Sequence, residues 1–368
     1  MFQARYLWRS GAPLFLLVPL QSQAIAQTCP GSLEFHTGQE IEVFRYTGFS
    51  GVRGSLLLSS GVIDCNGLIG GLWFSEDAAP LDETAPLSAC GGMMSVPLFT
   101  PAIGCPEPLV EDQDVDGGGT IISEVSIKVS GDAEVIADSR KIRVSIDLKS
   151  CLEMGCNDTD CKDSAFPRAQ AKIEEWHSVN VPFTVTSPMA QFLMTPTVDL
   201  REVPGELPCE LMCEGASTIC DSSSATLIWS IDGIGGGAGS FESFGEVSAT
   251  GPDGVQSSPS QGCIDDGDYR LTLTLTDIAD EFVCAPPCGA DGAVCSHNPK
   301  FTFSLVVVDC IGDVNGDGTV NVQDLTAVIL AWGDCSGDCP ADINGDGTVN
   351  VTDLTLVNTN WGECTACQ

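Results

Sequence analysis

The chain has 368 residues, enough for two or three domains, and sets 15 basic against 51 acidic residues for a formal net charge of −36. That surplus argues against nucleic acid and anionic membrane surfaces, which attract bases, and is compatible with divalent cations. The 19 cysteines point, in an exported chain, to a disulfide framework rather than zinc, and their odd number leaves one thiol over.

Residues 1–26 read as a secretory signal peptide. Arg5 and Arg9 precede the apolar run Ala12 to Leu20, and Ala24-Ile25-Ala26 is a small-x-small cleavage site. Cleavage near Ala26 predicts a secreted, cell-surface or periplasmic protein. The apolar run is too short to cross a bilayer, and no later stretch approaches ~18 apolar residues, so no membrane span is expected.

From 27 to 189 the pattern predicts a β-sandwich-like domain. Ile41 to Tyr46, Gly54 to Ser59, Leu72 to Phe74, Thr120 to Val129, Lys141 to Leu148 and Val179 to Thr186 are short β-branched or aromatic runs. Several alternate with period two between Gly, Pro, Asp and Ser clusters. Ala165 to Trp176 reads as the one helix of this part, or else as loop. A second β domain is expected over 190–309, with strands at Thr226 to Asp232, Asp268 to Asp277 and Phe301 to Val308. There Asp265-Asp-Gly267-Asp-Tyr269 precedes an alternating strand, and Trp229 suits a core tryptophan. This segment resembles an Ig-like or PKD-like sandwich with a tyrosine corner. Leu271 stands where such domains often carry a cysteine.

The front part shows no catalytic constellation to commit to. His36, His177 and His297 lack a nucleophile-elbow, metalloprotease or phosphate-loop context and read as surface or core residues. Glu174-Glu175-Trp176 reads as structural. Cys209, Cys213 and Cys220, then Cys284, Cys288 and Cys295, share one spacing. Zinc, with His297 completing the second triplet, is weighed there against disulfide-stapled loops, and export favours the staples. Cys151, Cys156 and Cys161 are read the same way. Asp112-Gln-Asp114-Val-Asp116-Gly117 opens like a calcium loop, but Ser123 fills its twelfth place, so an acidic turn is expected.

The tail, 310–368, carries a duplicated unit offset by 29 residues. Calcium takes six to eight oxygens, which a twelve-residue loop supplies from positions 1, 3, 5, 7, 9 and 12. In the first copy these are Asp313, Asn315, Asp317, the Thr319 carbonyl, Asn321 and Asp324. In the second they are Asp342, Asn344, Asp346, the Thr348 carbonyl, Asn350 and Asp353. Position 6 is Gly318 or Gly347, where the chain turns sharply. Two Ca2+ ions are therefore expected. Val320 and Val349 are expected to pair across the loops. A short helix should follow each loop, with Val322, Leu325, Ile329 and Trp332, then Val351, Leu354, Asn358 and Trp361, as packed stripes ending at Gly333 and Gly362. Cys310/Cys339 and Cys335/Cys364 repeat at the same offset and frame the units.

This arrangement resembles the type I dockerin, an EF-hand-like module of secreted bacterial proteins. The resemblance implies a calcium-dependent docking module for a cohesin-like partner. Positions 10 and 11 are Val322-Gln323 and Val351-Thr352, and Ile329-Leu330 and Asn358-Thr359 stand where the family carries a basic pair. The expected architecture is mainly β, two β-sandwich-like domains followed by a small α-helical dockerin-like module. The expected function is that of a secreted, non-catalytic dockerin-bearing protein that docks to a cohesin-like or envelope protein, its β domains meeting a glycan. The alternative is an extracellular glycoside hydrolase of polysaccharide catabolism carrying a dockerin.

Overall fold

The computed structural model describes residues 31–36, 38–58, 61–64, 74–77, 81–104, 123–156, 167–200, 217–219, 222–234, 241–250, 254–284, 293–335 and 339–364. The signal segment, the Asp112–Asp116 turn and the triplet at Cys209, Cys213 and Cys220 lie outside them. So do the side chains of Cys151, Cys156, Cys161, Cys284, Cys288, Cys295 and His297.

The described strands form two nine-stranded sheets. Alternation builds them. In Lys141–Cys156, Ile142, Val144, Ile146 and Leu148 point inward at 0–2% exposure, while Lys141, Arg143, Ser145 and Asp147 lie on the opposite, half-buried face. The first sheet runs Ser243–Thr250, Ser222–Gly233, Gly267–Cys284, Pro167–Val185, Glu40–Leu58, Gly61–Asp64. The second runs Ser217–Ile219, Ala293–His297, Lys141–Cys156, Lys300–Val308, Ala190–Asp199, Val255–Ser257, with Ser123–Asp138 and Gly91–Gly104 extending it beside Lys141–Cys156. Pairing is antiparallel except between Ser217–Ile219 and Ala293–His297.

Residues 186–189 carry the chain from the first sheet to the second. The segments 27–189 and 190–309 therefore contribute strands to both sheets and share one hydrophobic core, from Leu33 to Val307. Trp229 of the first sheet meets Phe303 of the second, their ring centroids 6.2 Å apart. Each such fully buried side chain contributes about 1.5–3 kcal/mol.

The helix expected over 165–176 is absent, because those residues belong largely to the strand Pro167–Val185. It is hydrogen-bonded on both flanks, with Glu175 opposite Asp277 and His177 opposite both Arg45 and Leu275. Two ladders outweigh a local helical preference. Period two then turns Glu175 and His177 inward beside Val179, both at 0% exposure.

The tyrosine corner is present. Tyr269 Oη donates to the Asp265 carbonyl at 2.9 Å, and the ring is 0% exposed. It stacks on Phe183 at 5.6 Å and meets Phe241 edge-on at 6.2 Å. Burial, then the nearby Asp265 and Asp266 carboxylates, raises the hydroxyl above its ordinary pKa. Leu271, two residues on, is a core side chain.

The tail adds two helices, α1 (Val322–Leu330) and α2 (Val351–Thr359). They pack together over Val320, Val328, Val349 and Val357, all at 0% exposure. That small core includes Leu193 and Val306, cross-strand neighbours on the outer face of the second sheet. The module thus sits against the sandwich. A disulfide joins Cys310 to Cys364, closing a separation of 54 residues, and a second joins Cys335 to Cys339. The longer closure stabilises by about 4 kcal/mol in the chain-entropy account.

Tyr269→Phe should lower stability by about 1 kcal/mol through loss of the corner hydrogen bond. The check is a shift in the urea midpoint at constant slope, and an unmoved midpoint would contradict the role given to the corner.

Candidate calcium centre

Each loop is built around the carboxylate at its twelfth position. In the first copy Asn321 is extended and caps α1, accepting from the Gln323 amide, while Asp324 Oδ2 accepts from the Asn321 amide at 2.8 Å. This reciprocal capping box satisfies helix N-terminal donors. Asp324 Oδ1 reaches back to the loop start, accepting from the amides of Val314 at 2.9 Å and Asn315 at 3.1 Å. The second copy repeats this. Asp353 Oδ2 accepts from Asn350 at 2.8 Å, and Oδ1 accepts from Ile343 at 2.8 Å and Asn344 at 3.2 Å. Both carboxylates are at 0% exposure.

The other candidate ligands curl round the same centre. Asp313 accepts from the amides of Gly316, Asp317 and Gly318. Asn315 Oδ1 accepts from the Asp317 amide, Asp317 Oδ1 from the Thr319 amide, and Asn321 Nδ2 donates to the Thr319 carbonyl. The second loop matches through Asp342 with Gly347, Asn344 with Asp346, Asp346 with Thr348, and Asn350 with the Thr348 carbonyl. Gly318 and Gly347 take φ of +83° and +92°, as position 6 requires. Position 4 needs the same freedom: Gly316 and Gly345 take +73° and +70°. The Asn-Gly dipeptides were the available signal for that second turn.

The structure therefore brings all six candidate positions of each copy into one loop, and every candidate donor is oxygen, the ligand a hard divalent cation takes. Asp342 supplies the fit test. Its carboxylate is 0% exposed, and Oδ1 is buried with no hydrogen-bond partner. A buried carboxylate oxygen without a donor is costly unless a cation meets it. Calcium held by these residues would offset two of the three carboxylate charges in each loop.

The loop environments differ. The first is open, with Asn315, Asp317 and Gly318 exposed. The second lies against the sandwich, with Asp342 and Asn344 at 4% exposure. Lys141 Nζ donates to Asp342 Oδ2 at 3.0 Å, and a Cβ on Gly347 would collide with the Arg143 guanidinium. Sequence reading missed Lys141 and Arg143, which lie some 200 residues away with no local signature.

Two expectations are corrected. Val320 and Val349 do not pair with each other. Val320 pairs with Gly362 and Val349 with Gly333, so each loop is laced to the segment after the other helix. The packed stripes are also different. Val322, Ile329 and Trp332 are 61%, 54% and 54% exposed, and Val351 and Trp361 are 63% and 52% exposed. The inward carboxylates of Asp324 and Asp353 set the buried faces, and Val328 and Val357, four residues on, share them.

In the front part, His177 Nε2 lies 3.0 Å from Glu175 Oε2 inside the core. His36 Nε2 lies 3.2 Å from Asp268 Oδ1 and 3.0 Å from Thr184 Oγ1. The hydrogen bonds from Thr184 and then His36 hold the Asp268 carboxyl below its usual range.

Paired loop–helix units of this form, with no entering helix among the described residues, define an EF-hand-like module. Residues 311–362 match the family model of the dockerin type I domain, so the chain carries a dockerin type I module towards its C-terminal end. Dockerin type I domains bind calcium. No curated protein matches the chain. No helix among the described residues is long and apolar enough to cross a membrane.

Burial raises the Asp353 carboxyl above 3.8, against the lowering effect of its three amide donors and with a smaller push from Asp342. The sign follows from linkage. In chelator this group contributes stability below pH 3.8 that is lost as pH rises through its raised folded value. Calcium needs the carboxylate form, so acidification should expel the ion. Asp353→Asn should remove this component of the pH dependence, read by tryptophan fluorescence of chelated and calcium-loaded protein across pH. An unchanged profile would contradict the assignment.

Proposed function

We propose that this is an exported, non-catalytic protein that takes two calcium ions in its C-terminal module and uses that module to dock to a cohesin-like receptor. The observation that carries the reading is the apolar row left uncovered on the module. Val322, Ile329 and Leu330 of α1 are 54–82% exposed, and Val351 and Trp361 of the second unit exceed 50%. Large apolar side chains in a folded acidic module mark an association surface. The module contains no Lys or Arg from Cys310 to Gln368, so its receptor is met by apolar contact rather than through a basic pair.

Calcium supports that surface indirectly. The ligands are Asp313, Asn315, Asp317, Thr319, Asn321 and Asp324 in one loop and Asp342, Asn344, Asp346, Thr348, Asn350 and Asp353 in the other. Their neutralisation fixes the helix N-termini that present Val322 and Val351. The β-sandwich is the cargo the module places, with a glycan as its ligand class.

Calorimetric titration of the full chain should show two calcium sites, with Asp313→Ala and Asp342→Ala each removing one. Val322→Asp combined with Ile329→Asp should weaken calcium-dependent capture by a cohesin domain at least ~10-fold, as loss of buried anchors does. Fewer than two sites would overturn the ligand assignment, and unchanged capture would overturn the surface. Incubation with a glycan panel should release no reducing sugar above a buffer blank. Release would favour a dockerin-bearing hydrolase.

A further inference from the structure

The two loops are nearly identical in sequence, differing among their twelve positions at 2 and 11: Val314 against Ile343, and Gln323 against Thr352. The position-11 difference reaches one candidate ligand, since Asn315 Nδ2 donates to Gln323 Oε1 at 3.2 Å, and the larger contrast lies in the loops' surroundings. Those surroundings differ in charge. Asp313, at position 1 of the first loop, is half-buried and is held by amides of its own loop. Asp342, at position 1 of the second, is shared with the sandwich. Its Oδ2 accepts from Lys141 Nζ at 3.0 Å and from the Gly347 amide at 3.1 Å, while its buried Oδ1 has no hydrogen-bond partner. The Lys141 side chain is 12% exposed and the Asp342 side chain 0%, so water screens the pair poorly.

We propose that Lys141 of the β-sandwich is a built-in cation of the second calcium loop, standing behind Asp342 and making that site the weaker of the two. This rests on the calcium reading above. The lysine holds one carboxylate oxygen and leaves the other for the ion, so calcium enters without displacing it. Its charge offsets one of the loop's three carboxylates, beside the Arg143 guanidinium that packs against Gly347, and affinity in such loops follows ligand charge. The same contact steadies the loop when calcium is absent, because it offsets carboxylate repulsion and ties the loop to a rigid strand.

That strand end is well fixed. Asp138 Oδ1 accepts from the amides of Arg140 and Lys141, each at 2.9 Å. Asp138, Arg140, Lys141, Asp313 and Asp342 line one cleft between sandwich and module. Apolar packing of Val306 and Leu193 against Ile343 and its neighbours holds the two bodies together. Gly345 has no room for a side chain, since a Cβ there would collide with Ser304 Oγ. The second loop is thus seated on the sandwich and pairs directly with a resident positive charge, whereas Asp313 of the first loop lines the same cleft and is held by its own loop's amides. The module should fill in order, first loop before second.

The test is calcium calorimetry on the full chain in an Asp313→Ala background, which leaves the second loop to be read by itself. Lys141→Met removes the charge while keeping an apolar stem, and should tighten the remaining site by roughly 10- to 100-fold, the scale of one poorly screened charge acting on a divalent ion. Lys141→Arg should restore the parent affinity, which separates charge from packing. In the Asp342→Ala background, Lys141→Met should leave the first site unchanged within about twofold. A second site that Lys141→Met leaves unchanged or weakens overturns this inference alone. Absence of any calcium heat from the unsubstituted chain overturns both it and the calcium reading beneath it.

Discussion

The module depends on one carboxylate used three ways. Asp324, and Asp353 in the second copy, caps its helix, closes its loop by accepting from the loop's first amides, and occupies the last calcium position. A helix of about nine residues is marginal alone, since nucleation costs more than so few hydrogen bonds return. Tying its N-terminus to the loop removes much of that cost. The same geometry buries a negative charge, and a buried charge must be met. Loop, helix and cation are therefore one folding unit, and the exposed valines at the helix starts are in position only when that unit is formed.

The second consequence is asymmetry. Two almost identical repeats are related by pseudo-twofold packing, with each loop laced to the strand after the other helix. Docking on the sandwich breaks that symmetry. Leu193 and Val306 extend the module's own core, and Lys141 pairs directly with the position-1 carboxylate of the second loop. The sandwich is thus part of the chemistry of the site as well as its support. The cost is a constraint on the sheet, which must keep Ser304 and Val306 facing outward beneath Gly345.

Much of the site was legible because a calcium loop is local. Its ligands sit at fixed places within twelve residues, and position 6 needs glycine for a backbone reason. The strand runs and the tyrosine corner were legible for the same reason, through alternation and a motif of five residues. What sequence did not disclose is long-range. Glu175 meets Asp277, and Lys141 meets Asp342, across a hundred residues or more. The run at 165–176 was misread because Glu-Glu-Trp has no strand signature until ladders form on both sides. The helix stripe was misread because apolar spacing ignored Asp324, a charged residue that faces inward only because it closes the loop.

Cations hold these carboxylate-built loops shut, calcium in both and Lys141 beside it in the second. Hydrogen exchange of the full chain with and without calcium tests this most directly. In chelator, the first-loop amides of Val314, Asn315 and Gly318 should lose protection, while those of Ile343, Asn344 and Gly347 retain most of theirs and the sandwich is unchanged. Equal loss from both loops, or no loss from the first, would contradict the account.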